Sequence, residues 1–247
     1  MRTPSPQRHA ISAFFPAYND AGTIGKLVTD TLQVLSALAD DYEVVVVDDG
    51  SVDGTSKLLD DLAKVEPRLV VIHHGENRGV GAALRTGFNA ATKELVFYTD
   101  GDAQYDVAEL PRLVALMDVG VDAVNGYREQ RADDRVRIVL GTIYGWLARV
   151  LFRLPIRDVE CAFRLMRRSA LDSISLESSG GVLDIELIRK LHLAGCTFAE
   201  TLVHHFPRTY GRSQFFTIRR VARLAFDFGT LWLTLVPLRW LRRTTKP

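Results

Sequence analysis

The chain has 247 residues, 47% hydrophobic and 25% charged, with no Gly, Pro or Ser tract and no fixed-period repeat. At roughly 150 residues per domain, that is one large or two small domains with a full core, and disorder is excluded. The net charge is +1 but unevenly spread: residues 206–247 hold nine basic side chains and one acid, Asp227, so the preceding 205 carry a net −7. A basic tail on an acidic body suits an anionic surface as partner, or is simply a solvated helix. Cys161 and Cys196 are too few and too far apart for a zinc motif or a disulfide framework, which points to a reducing compartment. The N-terminus lacks the continuous apolar run of a secretory signal, so a cytoplasmic location is expected.

Short β-branched or aromatic runs alternate with helical periodicity, the pattern of crossover-connected parallel strands. The first strand is predicted over 10–15, stopped by Pro16, and Ile24, Leu27, Val28, Thr31, Leu35 and Leu38 share one helical face after it. The run EVVVVD at 43–48 has no alternation, as a strand buried on both faces requires. A helix through Leu58, Leu59, Leu62 and Val65 follows, then a strand over 69–73, a helix over 79–91 and a strand over 94–99. A helix near 108–117 and a strand near 122–125 complete this half.

Beyond it, helices are expected over 135–154 and 184–194. Residues 224–238 are apolar but only fifteen long, contain Asp227 and Pro237, and fall short of the roughly 20 that span a bilayer. With flanking arginines and Trp232 and Trp240 near its ends, this segment suits an in-plane interfacial helix; a core helix packed on the sheet is the alternative.

Ligands of open α/β sheets bind where strands end. Asp20 follows the first strand, Asp48 and Asp49 the second, and Asp100 and Asp102 a later one. An Asp-x-Asp turn aims two carboxylates at one point, and a hard divalent cation such as Mg²⁺ or Mn²⁺ relieves their repulsion, with Gln104 as a further oxygen ligand. Such an ion is shared with substrate phosphates and steadies a diphosphate leaving group; solvated carboxylates in an Asx turn are the plainer alternative. Gly79-Val80-Gly81 lacks the third glycine of a dinucleotide fingerprint, and His73-His74, pointing to opposite faces, suit strand-end polar residues.

In order along the chain stand FFPAYND, VVVVDDGSVDGT, NRGVGAALRTG, YTDGDAQ, GYR, DVECAFRLM and PRTYGRSQF. The set resembles the family 2 glycosyltransferases of the GT-A fold, a Rossmann-like mixed sheet flanked by helices, and is most similar to the dolichyl-phosphate mannose synthase and polyprenyl-phosphate branch. The resemblance covers about residues 10–216. It implies a catalytic domain over 1–216, leaving 217–247 as a basic, amphipathic membrane-interface segment.

Position by position, the resemblance implies a nucleotide-sugar site of Pro16, Tyr18, Asp20, Val47, Asp49, Asp100, Gly101, Asp102, Gln104, Arg128, Arg208 and Gln214. Within it Asp100, Asp102 and Gln104 would hold the metal, and Arg128 and Arg137 the acceptor phosphate. Asp102, Asp158 and Arg128 form the implied catalytic set; Asp158 orients a sugar hydroxyl or the acceptor, or else pairs with Arg164 or Arg168. Three departures stand out: Asp20 replaces the usual glutamate, Gly101 the usual alanine, and Gln214 a common lysine, for which Arg212 is the nearest substitute charge.

The implied reaction moves a hexose, with inversion, from GDP-mannose or UDP-glucose to a polyprenyl phosphate. That nucleophile is already anionic, so no strong general base is needed. The expected partners are the nucleotide sugar, the lipid phosphate, the cytoplasmic face of a membrane and a separate membrane protein, with no nucleic acid. The alternatives are a family 2 transferase with a soluble phosphorylated or glycan acceptor and a catalytically silent membrane-binding module. A nucleotidyltransferase lacks support, because PAYNDAGT stands where its Gly-rich, Arg-containing loop would be.

Overall fold

The four valines of 44–47 are buried on both faces of strand β2 (Tyr42–Asp48), which pairs in parallel with β1 (Ile11–Ala17) and β3 (Leu69–His73). The computed structural model describes residues 8–117, 120–129, 132, 135–210 and 218–236. Strand β4 (Leu95–Thr99) lies in parallel on the other side of β1. Helices α1 (Ile24–Leu38), α2 (Thr55–Ala63) and α3 (Val80–Ala90) connect these strands. Pro16 does not stop β1, which continues to Ala17; pairing with β4 ends at Phe14, so Pro16 is paired only with Val47 of β2.

A one-turn 3₁₀ segment, Val107–Glu109, leads into α4 (Leu110–Met117), and β5 (Ala123–Arg128) follows. Next come α5 (Arg135–Phe152), β6 (Phe163–Arg167), α6 (Arg168–Asp172), α7 (Leu183–Ala194), β7 (Phe198–Val203) and α8 (Ile218–Leu235). The sheet order is β3-β2-β1-β4-β6-β5-β7. Strand β6 runs antiparallel to both neighbours while β5 and β7 pair in parallel, which makes the sheet mixed. Arg164 and Arg167 break the apolar run of β6, and the part-exposed edge strand β7 has no clean alternation; neither was predicted as a strand.

The main core fills both faces of the sheet, and a second cluster lies among α5, α7 and α8, built on Phe152, Ile156, Ile185, Ile188 and Leu231. Helix α8 turns Leu224, Phe228, Trp232 and Leu235 into that cluster, so Trp232 is a packing residue of α8 rather than an exposed interfacial anchor. Trp240 lies outside the described residues. Helix α5 instead presents an apolar face to solvent: Val139, Leu140, Ile143, Trp146, Val150 and Leu151 are all exposed, Trp146 by 57%. No described helix is long and apolar enough to cross a membrane.

Candidate active site

Strands β1, β2, β4 and β5 all run in one direction, so Ala17, Asp48, Thr99 and Arg128 end along one edge of the sheet. The first two loops at this edge are stitched together. Asn19, in a left-handed conformation (φ 57°), donates its N–H to Ser51 Oγ at 2.9 Å and accepts from the Val52 N–H at 2.8 Å. Asp20 donates its N–H to Thr55 Oγ1 at 3.0 Å, and its carboxylate folds back to accept from the Tyr18 N–H at 2.9 Å.

Asp49 accepts from the Arg78 and Gly79 N–H groups at 3.0 and 2.8 Å and pairs with His74 Nδ1 at 2.6 Å, clamping the turn into α3. Val47 is fully buried between Pro16 and Ile72, so in this conformation it offers a base no surface. His73 meets Asp48 and Asp60 while His74 meets Asp49 and Thr86, the opposite-facing strand-end arrangement expected of them.

The Asp100–Gln104 turn leaves β4 against the end of β1. A Cβ on Gly101 would stand 2.5 Å from the Pro16 carbonyl oxygen and 3.4 Å from Asp20 Oδ2, which only glycine avoids. Thr23 Oγ1 donates to the Gly101 carbonyl at 3.2 Å, and Ala103 takes a left-handed φ of 56° that closes the turn. The alanine usual in the family does not fit here. Gly101→Ala is expected to cost about 1–3 kcal/mol, as overpacking does, and to weaken Mn²⁺ binding by shifting both aspartates. Urea melts with Mn²⁺ titration check this; wild-type values for both would show that the turn yields freely.

A C-terminal strap lies over this turn. Gln104 and Phe206 bond in both directions, Phe206 N–H to Gln104 O at 2.8 Å and Gln104 Nε2 to Phe206 O at 3.0 Å. The Arg208 guanidinium donates to Asp102 Oδ2, while its Nε is buried without a partner among the described residues. The Tyr210 ring packs so closely on Gly22 that a Cβ there would be 2.3 Å from it. The strap thus spans from the Asp-x-Asp turn to the first loop. Gln214 and Arg212 lie outside the described residues, as does the side chain of Arg137, which occupies the first turn of α5.

The carboxylates crowd one another. Burial, then the charges of Asp102 and Asp184, pushes Asp100 up to about 8, and burial with the Asp102 charge takes Asp20 up to about 6. A hard divalent cation relieves this strain, and two carboxylates plus the Gln104 amide oxygen are its preferred ligands. Among the described residues no group of three His, Cys, Asp or Glu side chains could hold an ion unaided. The donor set therefore fits an ion that completes its shell with substrate phosphates.

Arg128 grips Asp158 with two parallel bonds, Nε to Oδ2 at 2.7 Å and Nη2 to Oδ1 at 2.8 Å. Asp158 is thus the partner of Arg128, and neither Arg164 nor Arg168 bonds its carboxylate: Arg164 reaches Asp184 and Arg168 reaches Asp172. Arg164, Asp184, Tyr98 and Asn125 form a buried polar network beside the site that sequence reasoning missed. The one available signal was an arginine inside the apolar run CAFRLM.

A mixed sheet with parallel strands ending on an Asp-x-Asp turn is the arrangement expected of a GT-A fold. Residues 12–175 match the model of glycosyl transferase family 2, and the chain belongs to that family. It is 32% identical to the undecaprenyl-phosphate 4-deoxy-4-formamido-L-arabinose transferase of Enterobacter sp. (strain 638), over 94% of this chain and 70% of that protein. The protein of the same name from Proteus mirabilis (strain HI4320) is 31% identical with the same coverage.

Among solved structures, glucosyl-3-phosphoglycerate synthase from Mycobacterium tuberculosis shares the fold at a TM-score of 0.66 and 18% identity, over 92% of this chain and 79% of that one. The mannosyltransferase PcManGT from Pyrobaculum calidifontis, in complex with GDP-Man and Mn²⁺, gives a TM-score of 0.61 at 25% identity, over 85% of this chain and 60% of that one.

Proposed function

We propose that this glycosyltransferase moves a hexose from a nucleotide sugar to a polyprenyl phosphate at the cytoplasmic face of a membrane. The exposed apolar face of α5 carries this reading. Helix α5 begins seven residues after Arg128 in the chain, and from Arg135 to Arg157 the chain has five arginines and no acid. Such a helix suits an anionic lipid surface, with indole and guanidinium groups at headgroup level. The named activity of the undecaprenyl-phosphate relatives supports the same acceptor class, and the GDP-Man and Mn²⁺ of the mannosyltransferase neighbour support the donor class and the metal.

In this reading Asp100, Asp102 and Gln104 would hold Mg²⁺ or Mn²⁺, which when bound would supply positive charge to the departing nucleoside diphosphate. Asp20 and Tyr18 border the nucleotide, and Arg208, now paired with Asp102, turns its guanidinium to the diphosphate. The Arg128–Asp158 pair faces the acceptor phosphate from the end of β5. The lipid phosphate attacks in line without a strong base. Residues 1–216 form the catalytic domain, while 217–247 share the membrane contact with α5.

Purified protein incubated with radiolabelled GDP-mannose or UDP-glucose, Mn²⁺ and polyprenyl-phosphate vesicles should yield metal-dependent label in the organic phase. Release of nucleoside diphosphate without lipid label would move the acceptor to a soluble molecule, and neither product would sink the reading. Ile143→Glu with Trp146→Glu should lower vesicle flotation by about tenfold or more, since burying each such side chain contributes about 1.5–3 kcal/mol. Flotation equal to wild type would remove α5 from the membrane contact.

A further inference from the structure

Helices α5 and α7 end in the same turn but with different residues. After α7, Gly195 takes a left-handed φ of 91°; its N–H donates to the His192 carbonyl at 3.2 Å, and the Cys196 N–H donates to the Leu191 carbonyl at 3.1 Å. After α5 the same two bonds run from the Arg153 N–H to the Val150 carbonyl at 3.4 Å and from the Leu154 N–H to the Arg149 carbonyl at 3.0 Å. The left-handed residue there is Arg153, at φ 50°. Glycine suits this Schellman turn because a Cβ in the left-handed conformation crowds the next carbonyl oxygen. A helix C-terminus does favour a cation, but Arg149 already meets that preference from within the last turn of α5.

The surroundings of Arg153 point to a ligand. Trp146, Arg149 and Arg153 follow one another at spacings of three and four residues, so they lie along one flank of the exposed apolar stripe of α5. All three are exposed, and neither arginine side chain has an ion-pair or hydrogen-bond partner among the described residues. Arg157, one turn further on, is different: it pairs with Glu200 and lies over the Tyr127 ring. Two unpaired guanidinium groups and an indole beside exposed Val150 and Leu151 match the level at which lipid headgroups meet acyl chains.

Resting on the membrane reading above, we propose that Arg149 and Arg153 bind the headgroups of anionic phospholipids, so that the protein docks according to bilayer charge, independently of the polyprenyl phosphate. A guanidinium presents paired N–H groups that match two phosphate oxygens, which a solvated ammonium does less well. A free phosphate would leave the neighbouring apolar stripe in water, whereas a lipid covers stripe and arginines together. The strained turn carries the second charge one turn beyond Arg149, a place that glycine would leave neutral.

The test is flotation with vesicles free of polyprenyl phosphate, made of phosphatidylcholine alone or of phosphatidylcholine mixed with phosphatidylglycerol. Wild type is expected to favour the anionic vesicles, and less so at high salt. Each basic residue at such a surface contributes about fivefold. Arg149→Gln with Arg153→Gln should therefore weaken anionic binding about 10–30-fold and leave binding to neutral vesicles unchanged. Arg153→Gly should weaken anionic binding about fivefold yet raise the melting temperature by about 2–4 °C, because glycine relieves the turn. Equal flotation of wild type with both vesicles, or an anionic preference that the double variant keeps, would overturn the proposal. So would an Arg153→Gly protein that gains stability and loses no binding. Wild type that floats with neither vesicle removes the membrane reading itself, a result distinct from the others.

Discussion

Asp102→Asn is expected to lower transfer by about 10³-fold, on the order of 4 kcal/mol of lost transition-state stabilisation, while the fold survives. Asp102 is 7% exposed, its Oδ1 closes the turn by accepting from the Gln104 N–H at 3.1 Å, and its Oδ2 meets Arg208. An amide keeps the shape and the turn but removes the charge that makes the turn attract a cation. It also removes one cause that raises Asp100 and Asp20, so stability without metal should hold or rise. Turnover, Mn²⁺ titration and urea melts of the variant test all three expectations. Activity near wild type would sink the assigned metal site.

The same crowding fixes a pH dependence. A carboxyl raised from 3.8 to about 8 binds its proton more tightly folded than unfolded. Metal-free stability should therefore fall as pH rises between those values. Mn²⁺ binding has the opposite sense, weakening as pH drops below about 8, because the ion needs Asp100 deprotonated. In Asp102→Asn both slopes should flatten.

Arg164→Met is expected to destabilise the fold by about 3–5 kcal/mol, the cost of removing one partner from a buried ion pair. Its hydrogen bonds are all internal, to Asn125, Tyr98, Asp184 and the Val159 carbonyl. Methionine fills most of the volume but leaves the Asn125 amide oxygen and a half-buried carboxylate without their donor. At roughly 2–4 °C per kcal/mol for a chain of this size, the melting temperature should drop by about 10 °C. Arg164→Lys keeps the charge but not the fork that reaches four groups, and should fall between the two. A loss under about 1 kcal/mol for the methionine variant would show that the network is not a structural tie.

The parallel half was legible because its signals are local. EVVVVD is too uniformly apolar for anything but a strand covered on both faces, and the Ile24–Leu38 stripe has the period of one helix. A carboxylate pair just after such a strand is legible in the same way, which is how Asp100 and Asp102 could be singled out. Strand β6 was not legible: its insertion between β4 and β5 follows from antiparallel pairing with residues 39 to 72 positions away, and Arg164 disguises it as surface. The sequence by itself determined strands β1–β5, the Asp-x-Asp turn and the absence of an acid along the basic stretch of α5. Only tertiary packing decided that Arg164 is interior, that Asp158 belongs to Arg128, that Trp232 faces inward and that α5 faces out. Each of those depends on which distant group a long side chain meets, and pairing energy between distant residues leaves no periodic mark in the chain.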